Sequence, residues 1–331
     1  MQSNNSFSSN DMFDDYGVIT IMYHRFEENK YPSTNIRIND FKTHLEILKE
    51  KKISFINANE FEKKLKENKK EKKILITIDD AYLSFYKKAW PLLKKDKIPF
   101  ILFVSTREVG KHNYMSWDQI REISKENFVH IGNHSHTHEY LIDLTPKEIE
   151  DDIKKSISIF KKEIGYNSQF FSYPFGEYSL KFKNIINDLG FKYAFGQHSG
   201  VSDETKDFLE LPRFPLNEKY GKIDRFTSLL KTLPFKYESI VPNEKYINKK
   251  TNPPEIKIEF KKNIKNLNQV TCYSNEEDKW RKSNINFNKE NILTIKLAGK
   301  FITERGRINC SLREGNGYWR WLGIQFVVAE K

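Results

Sequence analysis

Two adjacent acidic residues follow a short apolar run in this chain of 331 residues. Asp79 and Asp80 come directly after residues 74–78, whose side chains are mostly β-branched or Leu. Neighbouring residues of an extended chain point to opposite sides, so one carboxylate could bind a metal while the other acts as a base. Asp is also frequent at turns and helix caps, so the pair by itself leaves a purely structural role open.

A second group of chemically capable residues is a cluster of histidines. Three of the eight histidines, His134, His136 and His138, lie within five residues. The i, i+4 spacing predicts that His134 and His138 share one face of a helical turn and bind one cation, with His136 pointing elsewhere. Together with one carboxylate they would leave positions open for water and substrate. A chance cluster of surface histidines is the alternative.

The third group is the run Ser-Tyr-Pro-Phe-Gly at residues 172–176. Pro174 and Gly176 favour a rigid turn, in which the backbone N–H of Phe175 could face a negatively charged oxygen. An ordinary turn between a strand and a helix would have the same composition.

Each of these groups follows one of several short apolar runs, which we interpret as strands. The runs occupy residues 18–23, 53–56, 74–78, 100–104, 128–131, 170–173 and 193–195. Segments with helical spacing lie between them, such as residues 40–51 and a helix that opens at Thr145-Pro146. Continuous apolar strands alternating with helices indicate a parallel sheet covered by helices. Because candidate functional residues with polar side chains lie at the ends of so many of these strands, we predict a distorted (β/α) barrel of about seven parallel strands.

The pattern changes in the last third of the chain. Apolar and polar residues alternate over residues 255–260, 292–297, 308–312 and 322–327, which is typical of antiparallel strands with one wet face. We therefore predict four parts. They are a polar leader at 1–15, the barrel at 16–235, a linker at 236–252, and a small antiparallel β-sandwich at 253–331. Near the end, Tyr318, Trp319 and Trp321 could stack on sugars or belong to the core, and their alternation favours the core.

Composition excludes some classes of protein. The net charge is +11, but the lysines are mixed with Asn, Ile and Glu and no nucleic-acid-binding motif accompanies them, so we expect no nucleic-acid partner. The chain has no run of about 18 uncharged apolar residues, so we expect no transmembrane segment. The leader lacks the basic start and apolar centre of a signal peptide. Cys272 and Cys310 fit either one disulfide or two buried thiols.

Three motifs together resemble those of the polysaccharide deacetylases, carbohydrate esterase family 4. Thr-Ile-Asp-Asp-Ala at 77–81 resembles that family's Thr-Phe-Asp-Asp-Gly, and residues 134–138 match its His-Ser/Thr-x-x-His motif. Tyr-Pro-Phe-Gly at 173–176 matches its third, Pro-containing motif. The likeness spans about residues 16–235, and its first two motifs are highly specific in combination.

The resemblance implies a role for each matching residue. Asp79 would be the general base, and Asp80, His134 and His138 would be the metal ligands. The backbone of Phe175 would donate to the oxyanion. Zn²⁺ is the expected metal, with Co²⁺ or Ni²⁺ as alternatives.

The sequence departs from the family pattern in three places. Ala81 replaces the usual Gly, the Arg before the third motif's Pro is absent, and no late Leu-x-His motif supplies the general acid. Tyr-His-Arg at 23–25 resembles the permuted branch that includes bacterial poly-N-acetylglucosamine deacetylases, which implies that His24 is the acid. His198 is the rival acid. Arg213 either replaces the missing Arg and holds Asp79, or has a plain surface role.

The expected activity is therefore that of an enzyme, a polysaccharide or oligosaccharide N-deacetylase. Its partner would be an N-acetylated glycan whose acetamide is hydrolysed with an Asp base and a His acid. The alternatives are an O-deacetylase and a non-catalytic carbohydrate-binding protein on the same scaffold. The family suggests the cell envelope or secretion, whereas the missing signal peptide suggests the cytoplasm.

Overall fold

A computed structural model of the chain describes residues 13, 15–67, 71–288 and 291–329. Residues 1–12 and 14 of the predicted leader lie outside this range. Among the described residues, no helix is both long enough and apolar enough to cross a lipid bilayer.

Strands and helices alternate through the first two thirds of the chain. The strands are β1 (Val18–Tyr23), β2 (Arg25–Phe26), β3 (Asn35–Ile36), β4 (Ser54–Phe55), β5 (Lys73–Ile78), β6 (Phe100–Val104), β7 (Val129–Asn133), β8 (Phe170–Ser172), β9 (Tyr193–Phe195), β10 (Val201–Ser202) and β11 (Phe214–Pro215). The helices are α1 (Ile38–Glu50), α2 (Phe61–Lys66), α3 (Trp90–Asp96), α4 (Trp117–Ser124), α5 (Pro146–Ile164), α6 (Leu180–Asp188) and α7 (Ile223–Leu229). Single helical turns lie at Ala58–Glu60, Phe85–Ala89, Leu141–Asp143 and Pro174–Gly176.

Strands β2 and β3 pair only with each other. The others form one curved sheet in the order β10-β1-β5-β6-β7-β8-β9, in which β10 alone runs antiparallel to its neighbour. Strand β4 pairs with β5. The two edges of the sheet are joined by residues 211–215: Leu211 forms a parallel bridge with Phe195 of β9, and β11 runs parallel to β1. The predicted distorted (β/α) barrel is therefore confirmed.

The composition of the strands explains this architecture. Every residue of β1, β5 and β6 is buried, because the barrel interior covers one side of each strand and the helices cover the other. Helix α5 begins at a capping box between Thr145 and Glu148. It ends at Gly165, whose φ of 82° suits a residue without a Cβ.

The remaining strands form two layers, which are antiparallel except that β12 and β14 run parallel to β21. They are β12 (Thr232–Pro234), β13 (Tyr237–Val241), β14 (Tyr246–Ile247), β15 (Ile256–Phe260), β16 (Thr271–Ser274), β17 (Arg281–Lys282), β18 (Asn284–Phe287), β19 (Ile292–Lys296), β20 (Arg305–Arg313) and β21 (Trp319–Val328). One sheet has the order β12-β21-β20-β16-β17, with β14 also beside β21, and the other has the order β13-β15-β19-β18. Single helical turns lie at Leu267–Gln269, Glu276–Asp278 and Gly315–Gly317. The sheets enclose one apolar core, as the alternating pattern predicted.

The segment predicted as a linker, residues 236–252, differs from that expectation in the structure. It carries β13, which pairs with β15, and β14, which pairs with β21. The two strands have five and two residues, which is too short for the clear alternation by which β20 and β21 were recognised. The boundary between barrel and sandwich stays a prediction.

The sandwich packs directly against the barrel. Trp321 Nε1 donates to Ser199 Oγ at 2.8 Å, and the N–H of Gly323 donates to the carbonyl of Ser199 at 2.7 Å. Trp321 thus packs on the barrel core rather than inside the sandwich, while Trp319 is 38% exposed. Within one of the two sheets, Cys272 on β16 and Cys310 on β20 are directly opposite each other and form a disulfide.

Candidate active site

The predicted metal ligands meet at one end of the barrel. Asp80 follows β5 and His134 follows β7, so both lie where parallel strands end at the same rim. Asp80 Oδ1 is 3.3 Å from the Nε2 atoms of both His134 and His138, and those two nitrogens are 3.2 Å apart. A tetrahedral zinc ion with bonds of about 2.0–2.1 Å would have ligand atoms about 3.3–3.4 Å apart. The triangle therefore has the dimensions of one face of a tetrahedral metal site.

The hydrogen bonds around this triangle also fit a cation. His134 Nδ1 lies 2.6 Å from the backbone carbonyl of Ser172, so Nδ1 carries the proton and Nε2 presents its lone pair. Asp80 is buried, and its Oδ1 has no hydrogen-bond partner within the described part of the chain. A buried carboxylate oxygen without a partner that faces the lone pair of His134 Nε2 leaves two acceptors unsatisfied, so the residues present fit a bound divalent ion.

The charges of the cluster agree with this arrangement. Burial would raise the pKa of Asp80, but the neighbouring His138 and His134 outweigh it and lower that pKa well below its usual range. Burial would also lower the pKa of His134, but its contact with Asp80 and the charge of Asp79 raise it. Both shifts mark a site that stabilises positive charge beside Asp80.

The helical turn expected for His134 and His138 is not present. Residues 134–138 form an irregular loop, with positive φ angles of 68° at Ser135 and 54° at His138. The two imidazoles converge because the loop folds back, with the N–H of His138 donating to Ser135 Oγ at 3.0 Å. The i, i+4 spacing identified the right pair, but a different local conformation brings them together.

Side chains of helix α5 form hydrogen bonds with this loop and fix its position. The carboxylate of Asp152 accepts hydrogen bonds from the N–H groups of His136 and Thr137 and from Thr137 Oγ1, at 2.6–3.0 Å. Ser156, one turn further on, donates to Asn133 Oδ1 and to the carbonyl of Ser135. His136 itself contacts Thr106 Oγ1 and is not part of the ligand triangle.

We expect Asp152→Ala to weaken metal binding by about 10- to 100-fold, the usual cost of losing an outer partner of a metal ligand. The loop would lose three hydrogen bonds while all three ligands remain. A chelator competition assay measures the affinity. The matched control is Asp151→Asn, since Asp151 is exposed and pairs with Lys147. Equal affinities in Asp152→Ala and the control would show that α5 does not position the ligands.

The second acid of the pair, Asp79, is completely buried and is held by Arg213. Arg213 Nη1 and Nη2 donate to Asp79 Oδ1 and Oδ2 at 2.7 and 2.8 Å, and both side chains have zero exposure. Ser172 Oγ also donates to Asp79 Oδ2, at 3.2 Å. Burial would raise the pKa of Asp79, but the guanidinium outweighs it and lowers that pKa below its ordinary value. Asp79 is therefore an ionised carboxylate with a fixed orientation.

The segment that closes the barrel brings Arg213 to Asp79. Arg213 lies between the Leu211 bridge to β9 and strand β11 beside β1. Its Nε donates to the carbonyl of Gly196 at 3.0 Å, and Nη1 also donates to Thr77 Oγ1 at 3.2 Å. Of the two roles considered for Arg213, the structure has the buried pairing with Asp79 and not a surface position.

The two candidate acids lie in different places. His24 directly follows β1 and lies at the site. The carbonyl of the preceding Tyr23 accepts a hydrogen bond from the N–H of Asp79, and the charges of Asp79 and Asp80 both affect the pKa of the His24 imidazole. Burial lowers the pKa of His24 below its ordinary value, although Asp80 and Asp79 oppose part of that shift. His198 lies instead between barrel and sandwich, near Lys245 and Tyr178, where burial lowers its pKa to about 3. The structure brings His24 to the cluster and does not bring His198.

The predicted turn lies beside the triangle. Phe175 has φ 58° and ψ 5°, a left-handed conformation that is uncommon for a residue with a side chain. Its ring centroid is 4.8 Å from that of His138 and 4.3 Å from that of Tyr140, on which it stacks. Phe175 is thus close to the candidate metal site, while the use of its N–H as an oxyanion donor stays a prediction.

Sequence reasoning missed several residues around the site. Tyr82 and Tyr114 are in contact with each other, and burial together with the charge of Asp80 raises the pKa of both. Asp152 supports the loop at 134–138, and Arg305 supports the turn that carries Phe175. Tyr82 could have been noticed from its position two residues after Asp80. The others lie far from the motifs in sequence, and no local pattern marks them.

The fold and the site together define a class: a (β/α) barrel whose strand ends carry two imidazoles and a carboxylate in metal-binding geometry, beside a buried Asp–Arg pair. Residues 66–194 match the family model for polysaccharide deacetylase. This part of the chain is similar to the polysaccharide deacetylases, and the resemblance drawn from its motifs is confirmed.

Relatives with curated names agree with this assignment. The chain is 24% identical over 195 residues to a putative polysaccharide deacetylase, YxkH, of Bacillus subtilis, covering 58% of this chain and 69% of that protein. It is 26% identical over 208 residues to the poly-beta-1,6-N-acetyl-D-glucosamine N-deacetylase of Staphylococcus aureus, covering 58% of this chain and 70% of the relative.

Solved structures show the same fold. The deacetylase PplD of Streptococcus pyogenes superposes with a TM-score of 0.60 and 20% identity, covering 65% of this chain and 99% of its own. IcaB from Ammonifex degensii gives a TM-score of 0.60 and 24% identity, covering 66% of this chain and 99% of its own. About a third of this chain therefore has no counterpart in either structure.

Proposed function

We propose that this protein is a metal-dependent N-deacetylase that hydrolyses acetyl groups from N-acetylated sugars of a polysaccharide or oligosaccharide. The observation that carries the proposal is the triangle of Asp80, His134 and His138 beside the ionised Asp79. The staphylococcal relative, named for deacetylation of a β-1,6-linked N-acetylglucosamine polymer, supports this substrate class.

Asp80, His134 and His138 would hold the metal, and we propose Zn²⁺ because two nitrogens and one carboxylate oxygen suit it. When bound, such an ion polarises a carbonyl and lowers the pKa of water. Co²⁺ and Ni²⁺ also accept imidazole and carboxylate ligands, so metal analysis of the purified protein decides among them.

The chain's own residues supply the proton transfers. Asp79 is the general base: Arg213 keeps it ionised, and it takes a proton from the attacking water. The N–H of Phe175 donates to the oxygen of the acetyl group as negative charge develops there. His24, in its protonated form, donates a proton to the departing amine, which would otherwise have to leave as an anion.

We expect His24→Ala to lower kcat by about 10²- to 10⁴-fold, the usual contribution of a general acid. His198→Ala is the matched control, because His198 is buried away from the acids and stays neutral near pH 7. It should reduce stability while the folded fraction keeps its turnover. Acetate release per folded molecule measures both. Near-normal turnover in His24→Ala would remove His24 as the acid.

We place the protein in the cell envelope or outside the cell, where its glycan substrates would be. The disulfide between Cys272 and Cys310 supports an oxidising compartment. Labelling of free thiols in protein taken from cells, with and without prior reduction, tests this placement.

The decisive experiment measures acetate release from a panel of N-acetylated and O-acetylated glycans, with and without a chelator. We expect release from an N-acetylated glycan that stops with chelator and returns with Zn²⁺. Release from esters alone would make the protein an O-deacetylase. Glycan binding without any release would make it a non-catalytic binding protein.

A further inference from the structure

The turn that carries Phe175 is held from the sandwich. Gln325 Nε2 donates to the carbonyl of Gly176 at 3.2 Å, and Arg305 Nε donates to Glu177 Oε1 at 2.7 Å. The guanidinium of Arg305 also lies 5.9 Å from the centre of the Phe175 ring. Two consecutive residues of the turn, Gly176 and Glu177, thus have polar partners on the C-terminal sandwich.

The acceptors on the turn and the Gln325 side chain are buried away from water, while Arg305 is partly exposed. Gln325 is 1% exposed and Glu177 is 3% exposed. A buried carbonyl or carboxylate that loses its partner remains unsatisfied, which is costly. The turn therefore depends on the sandwich for the pairing of its buried polar groups.

The sandwich side of this contact is itself ordered. Arg305 and Arg307 lie on the same face of β20, and Gln325 is the cross-strand partner of Arg307 on β21. Arg307 Nε donates to Gln325 Oε1 at 3.3 Å, which leaves the Gln325 amide NH₂ directed at Gly176. Long paired strands thus present both side chains on a rigid frame.

The turn needs such support because its conformation is strained. Phe175 has φ 58° although it carries a Cβ, and such residues persist only where their surroundings hold them. On the barrel side, a Cβ at Gly176 would lie 2.4 Å from the Gln197 side chain, so the turn cannot move in that direction. The turn therefore contacts Gln197 on its barrel side and Arg305 and Gln325 on its sandwich side.

We propose that the C-terminal sandwich is part of the catalytic apparatus, with Arg305 and Gln325 acting as positioning residues that hold the turn at 174–177 so that the Phe175 N–H faces the substrate oxygen. This inference rests on the proposed function, because it assigns that N–H to the oxyanion. It predicts that substitutions on the sandwich change kcat rather than substrate binding or metal affinity.

The test compares Arg305→Met and Gln325→Met with Arg313→Met. Arg313 lies on the same strand and face as Arg305 and also has an aromatic neighbour, Trp319, but it is far from the turn along the strand. We expect kcat to fall about 10- to 100-fold in the first two variants, since loss of an oxyanion donor costs about 10²- to 10³-fold and displacement costs less. KM and metal affinity should stay within about twofold, and Arg313→Met should match the wild type.

Two further measurements separate positioning from general damage. Arg305→Lys keeps a cation beside Glu177 and should recover most of the turnover lost in Arg305→Met. Hydrogen exchange of the peptide spanning residues 173–178 should become faster in Arg305→Met and Gln325→Met but not in Arg313→Met. Gln325→Met, which retains every charge, supplies the result if Arg305→Met does not fold.

The outcomes that overturn the inference are specific. Unchanged kcat in folded Gln325→Met, or a rise in KM with kcat unchanged, would show that the sandwich does not position the turn. A wild-type protein that releases no acetate would contradict the proposed function instead. In that case the exchange experiment still shows whether the sandwich holds the turn.

Discussion

Asp79→Asn is expected to lower kcat by about 10²- to 10⁴-fold, the contribution of a general base, while the protein still binds one metal ion. Asn has nearly the shape of Asp but cannot accept the proton of the attacking water. The three proposed metal ligands are unchanged in this variant, so we expect metal content to be kept while turnover is lost. Acetate release and metal analysis on the same preparation measure the two effects.

The same substitution should also destabilise the fold, because it leaves Arg213 as an unpaired charge with zero exposure. Breaking a buried ion pair on one side costs about 3–5 kcal/mol. The double variant Asp79→Asn/Arg213→Met removes both charges and should regain much of that stability without regaining turnover. This distinguishes loss of the base from loss of folding. Turnover that survives in folded Asp79→Asn would assign the base to another residue.

Removing the metal should have the other large effect. We expect a chelator to abolish acetate release and Zn²⁺ to restore it. We expect Asp80→Asn to lower metal affinity by at least about 10²-fold, because the anionic member of the proposed ligand set becomes neutral and two imidazoles hold a divalent ion weakly. Elemental analysis and chelator competition measure the loss. Full activity in protein shown to be free of metal would contradict the assigned centre.

A control for the position of the metal comes from a second group of acids. Asp15, Asp203 and Glu204 also lie close together, but Lys236 forms ion pairs with Asp15 and Glu204 at 3.1 and 3.0 Å. Glu204→Gln should therefore leave the metal content unchanged. A loss of metal in that variant would place the ion at the second group.

Much of the site could be predicted from sequence because its signals are local. Asp79 and Asp80 directly follow a strand whose residues are all buried, and His134 follows another. In a parallel barrel the strand ends share one rim, so the apolar runs and the residues after them suffice to bring these groups together. The resemblance to the family motifs then implied which residue of the Asp pair is the base and which is the metal ligand.

Other features depended on contacts between distant parts of the chain. Arg213 and His198 lie 15 residues apart in one connecting region, and no local pattern showed whether Arg213 holds Asp79 or whether His198 lies at the site as the acid. The decision comes from barrel closure: residues 211–215 insert between β9 and β1, which buries Arg213 beside Asp79. His198 instead lies against the sandwich.

The sequence alone therefore determined which residue types follow which strands, since strand periodicity and motif spacing are properties of short segments. Only the tertiary structure decided how the loops between them fold and what supports them. The His134–His138 loop is irregular rather than helical because Asp152, from another element, binds its backbone. Arg305, which supports the turn at Phe175, lies 130 residues further along the chain. A contact of that kind arises from packing one domain on another, which no short stretch of sequence encodes.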